Sequence, residues 1–211
     1  LHLQNALVEI QKEFALREDF IVKPPAISYK LNKKNVEVLI DNKIYDLTTH
    51  SENQLWQKTK IPAQYAKRLI SLGETDLLKS NLNTMTKRLN GNGILFRNVS
   101  GKIKGILSPS YNRIDATPIF EAFISKAIKA GFKPYRGLNT DFRYQVSFLY
   151  PHVYEPAENE AVVYGMSLTT GDYGNQALEL NLMALRITCK NLALGYDLFR
   201  RVHIGKRFDI G

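Results

Sequence analysis

The stretch Phe142-Arg143-Tyr144-Gln145-Val146-Ser147-Phe148-Leu149-Tyr150 alternates between two kinds of residue as far as Phe148. Its even-numbered positions are all apolar or aromatic, while Arg143, Gln145 and Ser147 stand between them. Because successive side chains of a strand point to opposite faces of a sheet, this period of two predicts a strand with one buried and one polar face. Antiparallel sheets commonly have this arrangement.

Short runs of similar character lie on both sides of this stretch. We predict further strands over 27–31, 36–40, 43–47, 94–99, 102–107, 161–169 and 177–189. Asp41-Asn42 and Ser100-Gly101 separate neighbouring runs and are typical of tight hairpin turns.

Apolar residues at helical spacing mark four other segments. We predict helices over 1–20, 62–71, 76–89 and 118–130, the second and fourth beginning at a proline. Gly73 and Gly131 follow the second and fourth helices, as glycine often does at helix ends. The predicted fold class is therefore α+β, mainly antiparallel sheet with helices packed on one face.

The dipeptide Pro24-Pro25 ends the first helical pattern, because proline lacks the backbone N–H that a helix needs. We therefore predict two parts, an amino-terminal helical arm over 1–23 and a single α+β domain over 24–211, with the proline pair as a hinge.

Composition limits the class of protein. The 211 residues are 44% hydrophobic, which is enough for a core. Cys189 is the lone cysteine, so an intramolecular disulfide framework and a zinc knuckle are excluded, and we expect a reducing, intracellular setting. No apolar run approaches the roughly 20 residues that a membrane-spanning helix needs. The chain begins with Leu1 and not with Met, so we expect that residues precede it.

Positive charge is concentrated in the middle of the chain. The formal net charge is +9, and residues 51–150 hold 16 Lys and Arg but 6 Asp and Glu, while the remainder is nearly neutral. Such a field attracts polyanions, and aromatic residues among the cations add surfaces on which bases stack. Nucleic acid is therefore the first ligand to consider.

The predicted contacts come from two helices, a hairpin, a turn, the long strand and the carboxyl-terminal tail. The predicted nucleic-acid-binding residues are Lys67, Arg68, Lys87, Arg88, Arg97, Lys102, Lys104, Tyr111, Arg113, Tyr135, Arg136, Arg143, Arg200, Arg201, Lys206 and Arg207. We expect Arg97, Lys102 and Lys104 on an exposed hairpin ladder. The basic tail is equally consistent with a solvated helix end or a subunit interface. Tyr144 is a weaker candidate, because it shares the face that the sheet buries.

The sequence offers little for catalysis. The four histidines are scattered, and none has the spacing of a metal-binding helix. Asp115, Asp141 and Asp172 lack nuclease-like spacing, so a metal-dependent nuclease is a minor alternative. No glycine-rich segment carries the Lys-Ser/Thr of an NTPase loop. We expect no catalytic residue, no metal and no cofactor.

Several strings along the chain occur in a familiar order. They are Thr59-x-Ile61-Pro62-x-x-Tyr65, Leu82-Asn83, Leu107-Ser108-Pro109-Ser110-Tyr111-Asn112-Arg113-Ile114-Asp115, Gly165-x-Ser167 ahead of Gly174, Arg186-Ile187-Thr188-Cys189-Lys190-Asn191 and His203-Ile204-Gly205. Over about residues 59–205 the chain resembles the phage/plasmid-like protein family, a domain of unknown function of the "932" type. The amino-terminal part has no counterpart to that family's usual opening. The resemblance implies a phage or mobile element in the cytoplasm of a bacterial host cell, and no settled activity.

The leading hypothesis is a non-enzymatic nucleic-acid-binding protein of a phage or mobile element. A basic, aromatic-bearing sheet suits sequence-tolerant binding or annealing of single-stranded DNA, whereas reading the major groove of a duplex requires an exposed recognition helix. The alternative is a structural or interaction protein whose basic face meets an acidic protein partner or a second copy in a homo-oligomer. We expect no membrane partner.

Overall fold

The computed structural model describes residues 3–32, 35–89, 93–111, 116–158, 160–174, 176–186 and 192–201, with side chains omitted at 3, 4 and 192–201. The chain separates into two compact units. Leu16–Tyr111 form the first, which we call the inserted unit, and Leu1–Ala15 with Asn112–Gly211 form the second, the discontinuous unit.

The inserted unit is a mixed sheet with three helices. Its elements are β1 (Arg17–Val22), β2 (Ile27–Leu31), β3 (Val36–Ile40), β4 (Lys43–Leu47), α2 (Thr49–Thr59), α3 (Ala63–Leu72), α4 (Thr75–Lys87), β5 (Ile94–Val99) and β6 (Lys102–Leu107), with a short 3-10 helix at Pro24–Ala26. The sheet order is β1-β5-β6-β4-β3-β2. The β4–β6 pairing is parallel, and the other pairings are antiparallel.

The core of the inserted unit lies between one face of this sheet and the three helices. Val38 and Phe96 from the strands pack in one cluster with Trp56 of α2 and Leu82 of α4. Within this core the hydroxyls of Tyr29 and Thr86 are hydrogen-bonded at 2.7 Å. Burial raises the pKa of Tyr29 to about 12, although the bond to Thr86 acts in the opposite direction.

Two hairpin turns fix the register of the inserted unit. Asp41 and Asn42 have φ of 48° and 64°, and Ser100 and Gly101 have 53° and 84°. Positive φ at both central residues is the geometry of two-residue turns whose twist matches that of the paired strands. Both predicted hairpins are thus confirmed, with the strand boundaries at the predicted residues.

The discontinuous unit is an antiparallel meander with two helices. Its elements are α1 (Leu3–Ala15), α5 (Ala116–Lys129), β7 (Lys133–Asn139), β8 (Tyr144–Tyr154), β9 (Val162–Thr170), β10 (Leu178–Arg186) and β11 (Leu192–Arg201). The sheet order is β11-β10-β9-β8-β7. The alternating stretch forms β8, and its predicted buried face is confirmed, since Tyr144, Val146 and Phe148 have no exposed surface. They pack with residues of α1 and α5.

A buried polar cluster holds α1 on this core. Glu13 of α1 accepts a hydrogen bond from the Tyr144 hydroxyl at 2.6 Å and another from the Tyr173 hydroxyl. A buried carboxylate is costly unless such donors satisfy it, so the cluster fixes how α1 docks.

The sequence-based division of the chain differs from this arrangement. Residues 3–15 are not a separate arm, because α1 packs against β7 and the core of the discontinuous unit. Residues 17–22 are a strand of the inserted unit and not the end of the first helix. The sequence also missed α2, β7 and β11.

The predicted α+β class with mainly antiparallel strands is confirmed. In the described part of the chain, every helix is too short or too polar to cross a bilayer.

Candidate nucleic-acid interface

The positive charge of the chain belongs almost entirely to one unit. Residues 16–111 hold 16 Lys and Arg against 8 Asp and Glu, a net +8, whereas the remaining residues hold 13 against 12. The basic stretch 51–150 recognised in the sequence crosses the boundary between the units. An electrostatic site is therefore to be sought on the inserted unit.

The second and third helices of the inserted unit present its densest exposed charge. Ala66 and Leu69 of α3 and Leu78 and Leu82 of α4 are buried, so the polar faces of both helices turn outward. Five exposed cations lie on these faces and directly after α4, and we call them the helical basic surface: Lys67, Arg68, Lys79, Lys87 and Arg88. Among the described residues none of the five forms an ion pair with a carboxylate.

An exposed aromatic ring lies within this surface and was missed from the sequence. Tyr65 of α3 is 41% exposed and stands one turn before Arg68, so the two side chains share a helix face. Asn81 of α4 donates a hydrogen bond to the Tyr65 hydroxyl at 3.2 Å, which joins the two helices and orients the ring. The sequence did contain a signal for this pair, because Tyr65 and Arg68 are three residues apart in a predicted helix and therefore share a face.

Next to this surface, an open cavity of about 500 Å³ lies where α2 leads into α3. It is lined by residues of α2, by the connection to α3 and by the first residue of α3: Asn53, Trp56, Gln57, Lys60, Ile61, Pro62 and Ala63. Its volume is in the range of small-molecule sites, and its wall is a mixture of apolar and polar groups.

The prediction of an exposed Arg97 is wrong. Arg97 lies on β5, which is flanked by β1 and β6, and its side chain has no exposed surface. Its Nε donates to Asp19 Oδ1 at 2.8 Å and its Nη2 to Asp19 Oδ2 at 2.6 Å. The guanidinium carbon also lies 5.5 Å from the centre of the half-buried Tyr111 ring, a cation–π distance. Arg97 and Tyr111 thus contact each other, and neither presents an exposed side chain for a ligand.

The charge of the predicted hairpin is further reduced by its neighbours. Lys102 is exposed, but it belongs to a row of paired positions in which four neighbouring strands carry Lys30, Glu37, Asp46 and Lys102. Two carboxylates thus stand between the two lysines, and opposite charges at paired positions attract each other. Lys104 is half-buried and has an interaction partner of its own.

The remaining predicted residues lie on the discontinuous unit. Tyr135 and Arg136 are exposed on β7, and Arg143 is half-buried, where its Nη2 donates to Gln145 Oε1 at 2.8 Å. Arg200 and Arg201 are the last residues of β11. Arg113, Lys206 and Arg207 lie outside the described residues. Tyr144, the weaker stacking candidate, is buried and hydrogen-bonded to Glu13.

Four of the predicted residues, Lys67, Arg68, Lys87 and Arg88, are therefore exposed on or directly after the neighbouring helices α3 and α4, as are Lys79 and Tyr65. No group of three or more His, Cys, Asp or Glu side chains suited to a metal ion occurs within the described ranges. Asp141 is exposed and Asp172 is buried, while Asp115 lies outside those ranges.

No family model, no curated protein and no solved structure matches the chain. The resemblance to the phage/plasmid-like family accordingly stays a prediction.

Proposed function

We propose that the protein is a non-enzymatic nucleic-acid-binding protein that holds a single strand on the helical basic surface of its inserted unit. The observation that carries this proposal is the segregation of charge: the inserted unit has a net charge of +8, and its exposed helical cations have no carboxylate partner among the described residues. Cations of this kind release counterions from phosphates when a nucleic acid binds.

Tyr65 supports a single strand as the ligand. Its ring is 41% exposed one turn before Arg68, and the bond from Asn81 orients it. An aromatic ring can stack only on a base that is free of its own pairing and stacking partners, as in a single strand. A duplex offers the cations its phosphates but offers the ring no accessible base face.

The biological setting rests on the sequence resemblance alone. We propose a phage or mobile element as the source and sequence-tolerant binding or annealing as the role. The alternative, an acidic protein partner or self-assembly through the same cations, predicts a different outcome in the experiment below.

The test is a fluorescence-anisotropy titration of labelled single-stranded and duplex oligonucleotides at several salt concentrations. If all five cations neutralise phosphates, the slope of log K against log salt is about −3.5 for a single strand. Replacing Lys67 and Lys87 by Gln removes two contacts and makes the slope shallower by about 1.4. Lys23 and Lys43 are exposed lysines elsewhere in the inserted unit, so Lys23→Gln with Lys43→Gln is the charge-matched control.

Two results would overturn the proposal. One is the absence of single-strand binding at low salt. The other is an equal loss of affinity in the Lys67/Lys87 and Lys23/Lys43 double variants, which would show that binding depends only on the net charge of the protein. Tyr65→Leu isolates stacking: we expect it to weaken single-strand binding by about 1–3 kcal/mol and to leave duplex binding unchanged. If light scattering shows an oligomer that the Lys67/Lys87 variant dissociates, the self-assembly alternative replaces the proposal.

A further inference from the structure

The sheet of the discontinuous unit has a second face that is polar and yet largely closed to solvent. Two rows of paired positions cross it from β7 to β10: Arg136, Ser147, Ser167 and Asn181 in one, and Leu138, Gln145, Thr169 and Glu179 in the other. Paired residues of neighbouring strands point to the same face and lie close together. Ser147, Ser167 and Thr169 have at most 5% exposed surface, so this face is a recess and not an open polar surface.

A cavity of about 80 Å³ lies in this recess, lined by Arg136, Leu138, Gln145 and Ser147. This volume is several times what one water molecule requires and far below that of a drug-sized site. It suits a group of a few heavy atoms, and no carboxylate lines it.

The hydrogen bonds beside the cavity all run in one direction. Arg143 Nη2 donates to Gln145 Oε1 at 2.8 Å, which fixes the amide, and Gln145 Nε2 then donates to Ser147 Oγ at 3.2 Å. The oxygen of Ser147 is thereby used as an acceptor, and within the described ranges its own O–H has no acceptor. This chain of hydrogen bonds starts at the Arg143 guanidinium and ends at the Ser147 hydroxyl on the cavity wall. The hydroxyl can therefore donate its hydrogen to an acceptor that binds in the cavity.

Further donors in the recess lack an acceptor. Thr169 Oγ1, directly across from Gln145, and Arg143 Nε are buried and have no partner among the described residues. Arg136 adds a guanidinium to the wall itself. Asn181 Oδ1 is an acceptor without a donor, but the excess is of donors. Two acidic residues belong to these rows. Glu179 lies two strands from the cavity-lining Gln145 and is paired in register with Arg200, and Asp197 of β11 is paired in register with Asn181.

We propose that this recess is a binding site for a single oxyanion, a phosphate group in particular. An acceptor-only group with negative charge satisfies the Arg136 guanidinium and the Ser147 hydroxyl at once, and Arg favours phosphate through its fork of donors. The site is independent of the helical basic surface, since it lies in the other unit and takes one anionic group instead of a strand.

The test is calorimetric titration of the full chain with inorganic phosphate at constant ionic strength, in parallel with a nucleoside 5′-monophosphate. Arg136→Gln removes the charged donor, and we expect phosphate to bind on the order of tenfold to a hundredfold more weakly. Ser147→Ala removes the hydroxyl at the end of the chain of bonds and weakens binding to a lesser degree. Lys133→Gln is the matched control, because Lys133 is an exposed cation of the same strand that does not line the cavity.

If inorganic phosphate and the monophosphate bind with equal affinity, the phosphate group alone accounts for binding. If the monophosphate binds more tightly, the natural ligand is an esterified phosphate. The proposal is overturned if the unaltered chain binds neither ligand, or if Arg136→Gln binds phosphate as well as Lys133→Gln does. The Lys67/Lys87 variant should bind phosphate normally, so failure of the strand-binding proposal and failure of this one are distinguishable.

Discussion

Replacing Asp19 by Asn removes the charge that compensates the buried guanidinium of Arg97. The carboxylate of Asp19 accepts two hydrogen bonds from Arg97, at 2.8 and 2.6 Å. Asparagine has nearly the same shape but offers one oxygen and no charge. The variant therefore removes the negative charge of Asp19 from beside a guanidinium that has no exposed surface.

The size of the effect follows from how deeply the pair is buried. Removing one partner of a fully buried ion pair costs about 3–5 kcal/mol, chiefly because the remaining charge is stranded. The Asp19 side chain is 27% exposed, so water entering beside the substituted amide solvates Arg97 in part. We therefore expect a loss of about 2–4 kcal/mol in the free energy of unfolding. Arg97→Met costs less, because it leaves a carboxylate that water can reach and no buried charge.

Trp56 makes this loss directly measurable. It is the single tryptophan of the chain and is buried in the core of the inserted unit, so its fluorescence during urea titration reports on that unit. With an m value of about 2 kcal/mol/M, Asp19→Asn lowers the urea midpoint by about 1–2 M.

The control is Asp41→Asn, at an exposed hairpin position with φ of 48° that Asn adopts readily. We expect its midpoint to stay within experimental error of the unaltered chain. The reasoning is refuted if Asp19→Asn shifts the midpoint no more than this control does. It is equally refuted if Arg97→Met is the more destabilising of the two changes, since packing and not charge would then hold the site.

Two further predictions concern single positions in the two units. The pKa of Tyr29 is raised to about 12 by burial, whereas an unfolded chain ionises its tyrosines near pH 10. The unfolded state therefore loses its proton first, and stability falls by up to about 3 kcal/mol between pH 10 and pH 12. In Tyr29→Phe the urea midpoint from Trp56 fluorescence should fall less over that range; an identical decline would contradict the assignment. In Gly165→Ala the added Cβ would lie 2.3 Å from the carbonyl oxygen of Phe148, so we expect about 1–3 kcal/mol of destabilisation, measured by near-UV circular dichroism during thermal unfolding.

Local sequence patterns were sufficient to predict most of the strands of the inserted unit. The strands β2 to β6 begin and end at the predicted residues, because short alternating runs and turn-forming dipeptides are decided by neighbours in sequence. Helix α2 was missed because its residues are mostly polar. Thr48 precedes it as the N-cap, and its side chain accepts a hydrogen bond from the Ser51 N–H, a short-range cap that the apolar spacing does not reveal.

The features that the sequence did not predict depend on contacts between residues that are far apart in the chain. Arg97 is a charged residue of a predicted hairpin strand, which predicts exposure, but its side chain is buried and bonded to Asp19, 78 residues earlier in the chain. β1 begins with Arg17-Glu18-Asp19, three charged residues that argue against a strand until the pairing of Asp19 with Arg97 is known. Likewise, the charge excess of the sequence was visible from composition, whereas its division between units required the fold.

The discontinuous unit has a consequence for synthesis on the ribosome. Helix α1 emerges before the inserted unit, but β7, the strand it packs on, begins at Lys133, after the whole inserted unit. At about 5–20 residues per second the apolar side chains of Ala6, Ile10 and Phe14 wait roughly 6–24 s for their partners. During that interval the inserted unit has all of its own strands and can fold, while α1 is a nascent hydrophobic segment that a chaperone would recognise.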